Sequence, residues 1–330
     1  MKVGLIGLGA VGRVHFDCWR KSPSARLVAV ADRDARKLAG DFSASKLNIG
    51  AQADTPADMG GTATYGRAED LIADPDVEIV DICMPTPWHA PLTLAALRAG
   101  KHVFCEKPMS LDAAACAEME RVARETGRQL AIGHCLRYWP QYVRAHGLLA
   151  SGRYGRALYA RFHRSCAMPR GSSGGWLARA EESGGVLDMH IHDIDVALWW
   201  FGRPASVAAT GIVREGLPLV MDAVWRWPGG LVAQLHGAWD LNGGAFRHAF
   251  TLVMEKATLA YDIALDPAAL QLHEGGKTTS LPCADTSAYQ AELDDFAACC
   301  AAGRPTARIT PADGRLAVEI GLEELRQVAR

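Results

Sequence analysis

Two short stretches of this chain carry the residues best suited to moving protons and steadying an alkoxide. The first is Cys105-Glu106-Lys107-Pro108, which closes an apolar run. A lysine ammonium at such a strand end can donate a hydrogen bond to a substrate hydroxyl and stabilise the oxyanion formed as hydride leaves. The X–Pro bond beside it is the routine place for a cis peptide. The second is Gly184-Gly185-Val186-Leu187-Asp188-Met189-His190-Ile191-His192-Asp193-Ile194-Asp195. A helix is expected from near Asp188 to Phe201, stopped by Gly202. On it Asp188, His192 and Asp195 fall at i, i+4 and i+7 on one face, with His190 and Asp193 on others. An imidazole takes a hydroxyl proton near neutral pH, and a neighbouring carboxylate can orient it. Two other readings compete with this acid–base face. One is a metal site, but a helix splits an H-x-H pair by about 200°. The other is an N-cap with a buried histidine. The acid–base face is the working reading, and no metal is expected.

A cofactor has its own signature. Gly7-Leu8-Gly9-Ala10-Val11-Gly12 follows an apolar run and opens a helical pattern. The first glycine permits a tight turn, the second lets a pyrophosphate approach the backbone, and the third lets helix pack on strand. Asp32 ends the next apolar run, where a carboxylate accepts hydrogen bonds from ribose hydroxyls and repels a 2′-phosphate. That favours NAD, while Arg33, directly after it, keeps NADP open. Met84, Pro85, Thr86 and His89 follow another apolar run and are expected beside the cofactor, since ligands sit beyond the carboxyl ends of parallel strands. For His89 the alternative is simply the first turn of a helix.

The elements that must position these groups follow from hydrophobic period. Continuous apolar runs at Lys2–Gly7, Leu27–Asp32, Ile79–Met84, His102–Glu106 and Gln129–Gly133 read as strands covered on both faces. Helices are expected at Val11–Arg20, Asp34–Ser45, Trp88–Ala99 and Leu111–Glu125, with a short one at Glu69–Ala73. This alternation predicts a doubly wound parallel sheet. Residues 49–64 read as a loop insertion. After about residue 137 the pattern changes. A helix is expected at Gln141–Ala150. Alternating runs at Ala157–His163, Ala205–Val213, Val220–Trp225, Leu231–Ala238 and Ala249–Met254 predict an antiparallel sheet. Helices Ala288–Ala302 and Pro311–Ala329 close the chain, the latter capped by Thr310. The expected fold class is α/β: a Rossmann-type domain over 1–135, then an α+β domain with a large open antiparallel sheet over 136–330. The last helix is expected to pack back on the first domain.

Composition narrows the class of partner. The 330 residues carry a formal net charge of −2, which argues against a nucleic-acid-binding or polybasic membrane surface. No apolar run approaches the roughly 18 residues a membrane helix needs. The opening MKVGLIG enters a strand pattern at once, so a cytoplasmic protein is expected. The nine cysteines include no C-x-x-C pair and predict no disulfide framework. Cys18, Cys83, Cys105, Cys135 and Cys166 are expected in apolar surroundings, and Cys299 and Cys300 on different faces of a helix. Arg161, His163, Arg164, Arg170 and Arg179 could receive an anionic substrate group, or could serve the surface or a subunit contact. Residues 168–180 read as a loop able to close over substrate. Trp199 and Trp200 read as core.

These motifs together resemble the glucose–fructose oxidoreductase / inositol dehydrogenase (Gfo/Idh/MocA) family. The resemblance runs through GLIGLGAVGRVH, the Ala31-Asp32 pair, CEKPMS at Cys105–Ser110, LRYWPQYVRAHGLLASGRYGRALYARF at Leu136–Phe162, GGVLDMHIHDID, and YQAELDDF. It implies NAD(P)-linked hydride transfer between nicotinamide and a secondary alcohol of a sugar, cyclitol or related compound. It also implies homodimers or homotetramers built on the C-terminal sheet. By motif position Lys107 resembles the family's catalytic lysine, Asp188 its substrate-binding aspartate and His192 its acid–base histidine. Glu106, Arg137 and Trp176 resemble cofactor-side or pocket positions. One departure is His190, where many members carry glycine. Two other readings remain open: transient oxidation by tightly held NAD in elimination or glycoside cleavage, and a non-catalytic NAD(H)-binding regulator.

Overall fold

The computed structural model describes residues 1–43, 56–168, 173–240, 242–306 and 308–329. Six strands form a parallel sheet in the order β3-β2-β1-β4-β5-β6. They are β1 (Lys2–Ile6), β2 (Arg26–Ala31), β3 (Ala63–Tyr65), β4 (Ile79–Ile82), β5 (His102–Glu106) and β6 (Leu130–Gly133). All four residues of β4 and of β6 are buried, as the continuous apolar runs require when helices cover both faces. The crossovers are α1 (Ala10–Lys21), α2 (Ala35–Leu38), α3 (Ala68–Ala73), α4 (His89–Arg98) and α5 (Ala113–Thr126). The strand order reverses between β1 and β4. There the turn after β1 lies against the turn after β4, the place where open sheets of this kind bind ligands.

Two expectations for this region change. The helix expected over Asp34–Ser45 is a single turn, Ala35–Leu38, capped by the Asp34 side chain on the Arg36 amide. Gly40 ends it at φ +89, where an added Cβ would lie 2.3 Å from the Ala57 carbonyl oxygen. Residues 44–45 of that expected helix, and 49–55 of the expected insertion, lie outside the described residues. The part of the insertion at Ala63–Tyr65 is the edge strand β3, paired with β2 through Ala29–Ala31.

The second sheet has eight strands in the order β14-β13-β12-β11-β7-β10-β9-β8. Helix α6 (Pro140–Ala150) precedes β7 (Ala157–Ala167), then α7 (Ala180–Ser183) and α8 (Leu187–Phe201) lead into β8 (Ser206–Arg214). β9 (Leu217–Arg226), β10 (Val232–Asp240), β11 (Arg247–Met254), β12 (Thr258–Asp262), β13 (Ala269–Glu274) and β14 (Lys277–Pro282) complete it. The sheet is antiparallel except that β7 and β10 pair in parallel. A parallel pair needs a long crossover, and the chain from α7 to β9 supplies one. Strands β12, β13 and β14 extend the sheet beyond the runs read in the sequence.

The chain divides into two compact units, Met1–Cys135 with Tyr289–Arg315, and Leu136–Ala288 with Leu316–Arg330. A single cut at 135 omits this return of the chain. The returning element is α9 (Ala288–Ala301), not the last helix as a whole. Leu293, Phe296, Ala297 and Cys300 join the first unit's core with Val3, Leu5, Phe16, Trp19 and Phe104. α10 (Pro311–Val328) starts in the first unit and continues in the second. Thr310 caps it: Thr310 Oγ1 accepts from the Asp313 amide at 3.2 Å while Asp313 Oδ2 accepts from the Thr310 amide at 2.8 Å. All nine cysteines are free thiols. Cys299 and Cys300 are both buried. Cys83 is not in apolar surroundings, since its Sγ lies 3.2 Å from His15 Nδ1. Among the described residues no helix is long and apolar enough to cross a membrane.

Candidate functional site

The fingerprint glycines divide into two kinds. Gly7 sits at φ +90, and a Cβ there would lie 2.4 Å from the Cys83 carbonyl oxygen. A Cβ on Gly12 would lie 1.9 Å from the Gly7 carbonyl oxygen. Both glycines are demanded by the fold. Gly9 is different: a Cβ there meets nothing within 4 Å. The space over Gly9 is where a ligand could approach the backbone. Gly9 also caps α1 without any side-chain bond, and the first turn of α1 carries no acid. The Ala10 and Val11 amides and the dipole at that end meet no competing carboxylate on the helix. These residues suit a dinucleotide pyrophosphate.

Asp32 stands at the end of β2. Its Oδ2 accepts from the Leu8 amide at 2.8 Å and its Oδ1 from the Asp34 amide at 2.9 Å. It thus holds the glycine-rich turn while staying half-buried beside exposed Arg33. Lys37, buried on α2, brings its Nζ to 3.5 Å from Asp32 Oδ2. The sequence reading missed this lysine; the signal available was only its place one helical turn beyond the acid.

In the turn after β4, Met84 and Pro85 are half-buried and Thr86 is buried. The Thr86 Oγ1 is enclosed and has no hydrogen-bond partner among the described residues. His89 is also buried. Its Nδ1 lies 2.6 Å from the Pro108 carbonyl oxygen and its Nε2 2.7 Å from that of Met84. Burial pushes its pKa down, partly offset by these two contacts. The ring therefore bridges the turn after β4 to the segment after β5, and supports the turn through backbone.

Lys107 alone among residues 103–110 is not buried. The Lys107–Pro108 peptide is cis. Its Glu106 neighbour is committed inward: Oε2 accepts from the Lys107 amide at 3.1 Å, and Oε1 lies 3.3 Å from His15 Nε2. Burial would raise the Glu106 pKa, but His15, Lys107 and His89 outweigh it and hold it below the usual value.

In the second unit, α8 carries five ionisable groups, and three of them are locked into buried pairs. Asp195 is gripped by Arg137, with Nη2 at 2.8 Å and Nε at 3.0 and 3.1 Å. Asp193 is gripped by Arg164 at 2.9 and 3.0 Å. His190 Nε2 meets Glu324 Oε2 at 3.0 Å, and Trp225 Nε1 donates to the other Glu324 oxygen at 2.6 Å. Burial would lower the His190 pKa, but the Glu324 carboxylate overrides it and raises it. His190 thus packs under the helix. Asp188 and His192, one turn apart, are the two ionisable groups of α8 that reach the surface. Asp195 shares their nominal face but is fully buried, so it leaves the expected triad and joins Arg137 in a clamp. Trp199 lies on the same stripe, half-buried and stacked on His146 at 4.1 Å between centroids, while Trp200 is core.

The remaining candidates are scattered. Trp176 is half-buried in a one-to-two-turn 3-10 segment, Ser173–Ala178. Arg164 is taken by Asp193 and Arg179 pairs with Glu182 at 2.5 Å. Arg161 is exposed, and His163 stacks on His236 at 4.9 Å. Arg170 and the loop around 169–172 lie outside the described residues.

The first unit is a dinucleotide-binding α/β sheet with an intact glycine cradle, and the second is an open sheet carrying one helix with an outward acid and imidazole. Residues 1–134 match the family model for an oxidoreductase family with an NAD-binding Rossmann fold, and residues 142–260 match that for the GFO/IDH/MocA C-terminal domain. The chain belongs to the Gfo/Idh/MocA family. It is 32% identical to the 1,5-anhydro-D-fructose reductase of Ensifer adhaerens, over 71% of this chain and 68% of that one. It is 35% identical to the inositol 2-dehydrogenase of Rubrobacter xylanophilus over 60% of this chain, a match that spans about half (51%) of that protein's length. Levoglucosan dehydrogenase, solved in complex with NADH and levoglucosan, shares the fold with a TM-score of 0.85 at 20% identity, over 100% of this chain and 97% of that one.

Proposed function

We propose that the protein is an NAD(P)-dependent dehydrogenase or reductase acting on a secondary alcohol, or the matching carbonyl, of a sugar, cyclitol or sugar derivative. The observation that carries this reading is the selective locking of α8, which buries Asp193, Asp195 and His190 in ion pairs and leaves Asp188 and His192 outward. Named relatives that oxidise inositol or reduce anhydrofructose support the substrate class.

Gly7 to Gly12, with the α1 amides, would hold the cofactor's pyrophosphate, and Asp32 its ribose hydroxyls. Bound nicotinamide supplies the hydride acceptor or donor. His192 takes the hydroxyl proton in oxidation and returns it in reduction. Lys107 donates a hydrogen bond to the reacting oxygen of the substrate and steadies its developing charge. Asp188 accepts a substrate hydroxyl and orients His192. Arg137 acts through Asp195 on the helix rather than on substrate. NAD is favoured by Asp32; Arg33 and Lys37 leave room for the 2′-phosphate of NADP. The same reading expects a homodimer or homotetramer through the open face of the second sheet, where Ile212 is 58% exposed.

The test is fluorescence titration with NADH and NADPH, followed by a panel of polyols, cyclitols and sugar acids read at the nicotinamide absorbance. Saturable binding with turnover of a sugar-like alcohol is expected. Tight, non-exchanging NAD with no net turnover would redirect the assignment to internal redox chemistry.

A further inference from the structure

Beneath the catalytic lysine lies a cluster of buried ionisable groups that the proposed reaction does not use. His15, on α1 three residues past the last fingerprint glycine, is fully buried. Its Nδ1 is hydrogen-bonded to Asp81 Oδ2 at 2.9 Å; its Nε2 lies 3.3 Å from Glu106 Oε1, a charge contact short of hydrogen-bond geometry. Both ring nitrogens therefore face carboxyl oxygens. A neutral imidazole has one N–H and leaves one of those contacts without a proton; a doubly protonated ring serves both. Glu106 then passes the constraint on, because its other oxygen accepts from the Lys107 amide at 3.1 Å.

We propose that His15 is a positioning residue for Lys107, a doubly protonated ring held between Asp81 and Glu106 that fixes Glu106 under the lysine. This rests on the reading of Lys107 as the alkoxide-stabilising group.

The surroundings are built for such a ring. Trp19 Nε1 donates to the same Asp81 oxygen at 2.7 Å and fixes it. A Cβ on Gly133 of β6 would come within 2.7 Å of Glu106 Oε1, so the glycine leaves room for the carboxylate. From the turn after β4, Cys83 Sγ faces Nδ1; burial and Asp81 push its thiol well up, so it stays protonated. From α9, Tyr289 and Glu292 face the cluster. Glu292 is buried with neither carboxyl oxygen hydrogen-bonded among the described residues. Burial and the Glu106 charge hold its pKa well above the ordinary value, so it remains a neutral acid. Asp81 and Glu106 thus keep the ring's charge. Burial alone would lower the His15 pKa; the charge and hydrogen bond of Asp81 oppose that and raise it. The chain Asp81–His15–Glu106–Lys107 ties the cofactor-binding helix α1 to the end of β5.

Two readouts test this. Nitrogen-15 NMR of histidine-labelled protein at pH 8 should include the signals of a ring with both nitrogens protonated that are lost in His15→Gln and in His15→Asn. A neutral His15 ring would overturn the proposal. In turnover, His15→Asn keeps a donor toward Asp81 only, whereas His15→Gln keeps one toward Glu106. We expect His15→Asn to lower kcat by about 10- to 100-fold, as a small misplacement of a catalytic group does, with NADH affinity little changed, and His15→Gln to restore part of the loss. Equal losses in both variants, or a loss confined to NADH binding, would contradict it. So would one equivalent of tightly bound metal that is lost in Glu292→Gln, since a cation would then hold Glu106. The NMR result stands whether or not a substrate is found, so failure of the Lys107 reading is seen separately.

Discussion

At the residue scale, one lysine and one histidine carry the proposed chemistry. Lys107→Ala should lower kcat by about 10²- to 10⁴-fold while leaving the NADH dissociation constant within about threefold. Steady-state kinetics beside a fluorescence titration checks this split. His190 carries a different expectation. Its pKa is raised in the folded chain by Glu324, so its stabilising pair is fully present below the ordinary imidazole value and is lost as pH rises through the raised one. His190→Gln should therefore be less stable than the wild type in urea at pH 6, with the gap narrowing toward pH 9. Motif and helical period mark Lys107, Asp188 and His192 in the sequence, and all three are half-exposed in the fold. The fate of Asp195 was not legible there. Spacing places it beside His192, but only the arrival of Arg137, 58 residues earlier in the chain, decides that it is buried. His15 escaped for the same reason, since Asp81 and Glu106 are brought to it by the sheet.

At the element scale, the glycine turn and α8 make separable predictions. Gly9→Ala should leave thermal stability near the wild type, because its Cβ meets nothing, yet weaken NADH binding at least tenfold by filling the approach to the backbone. Gly12→Ala should fail in the opposite way, destabilising the fold through collision with the Gly7 carbonyl. Differential scanning fluorimetry with and without NADH separates the two. Asp195→Ala leaves the Arg137 guanidinium buried without its partner and should cost about 3–5 kcal/mol in urea unfolding. Long elements with continuous apolar runs or clear caps were readable to within a few residues, α8 and α10 among them. β3 and β14 were not, since a three-residue edge strand and the mostly polar Lys-Thr-Thr-Ser of β14 carry little alternating signal. The parallel pairing of β7 with β10 is a property of the crossover between them, which no local pattern encodes.

At the scale of the whole molecule, the chain pairs a nucleotide-binding sheet with an open eight-stranded one, and the return of α9 to the first unit makes each unit discontinuous in sequence. Analytical ultracentrifugation should show a dimer or tetramer, and substitution of exposed Ile212 by lysine on β8 should shift it toward monomer if that edge of the face is buried between copies. Because all nine cysteines are free, reductant should leave the melting temperature unchanged. The most direct test of the central claim is NADH formation from NAD⁺ with a panel of polyols and cyclitols, run in parallel on wild type, Lys107→Ala and His192→Asn. The account predicts turnover on a sugar-like alcohol in the wild type and its loss in both variants with cofactor binding intact. Cofactor-linked turnover undiminished in Lys107→Ala, or no binding of NADH or NADPH by the wild type, would contradict it.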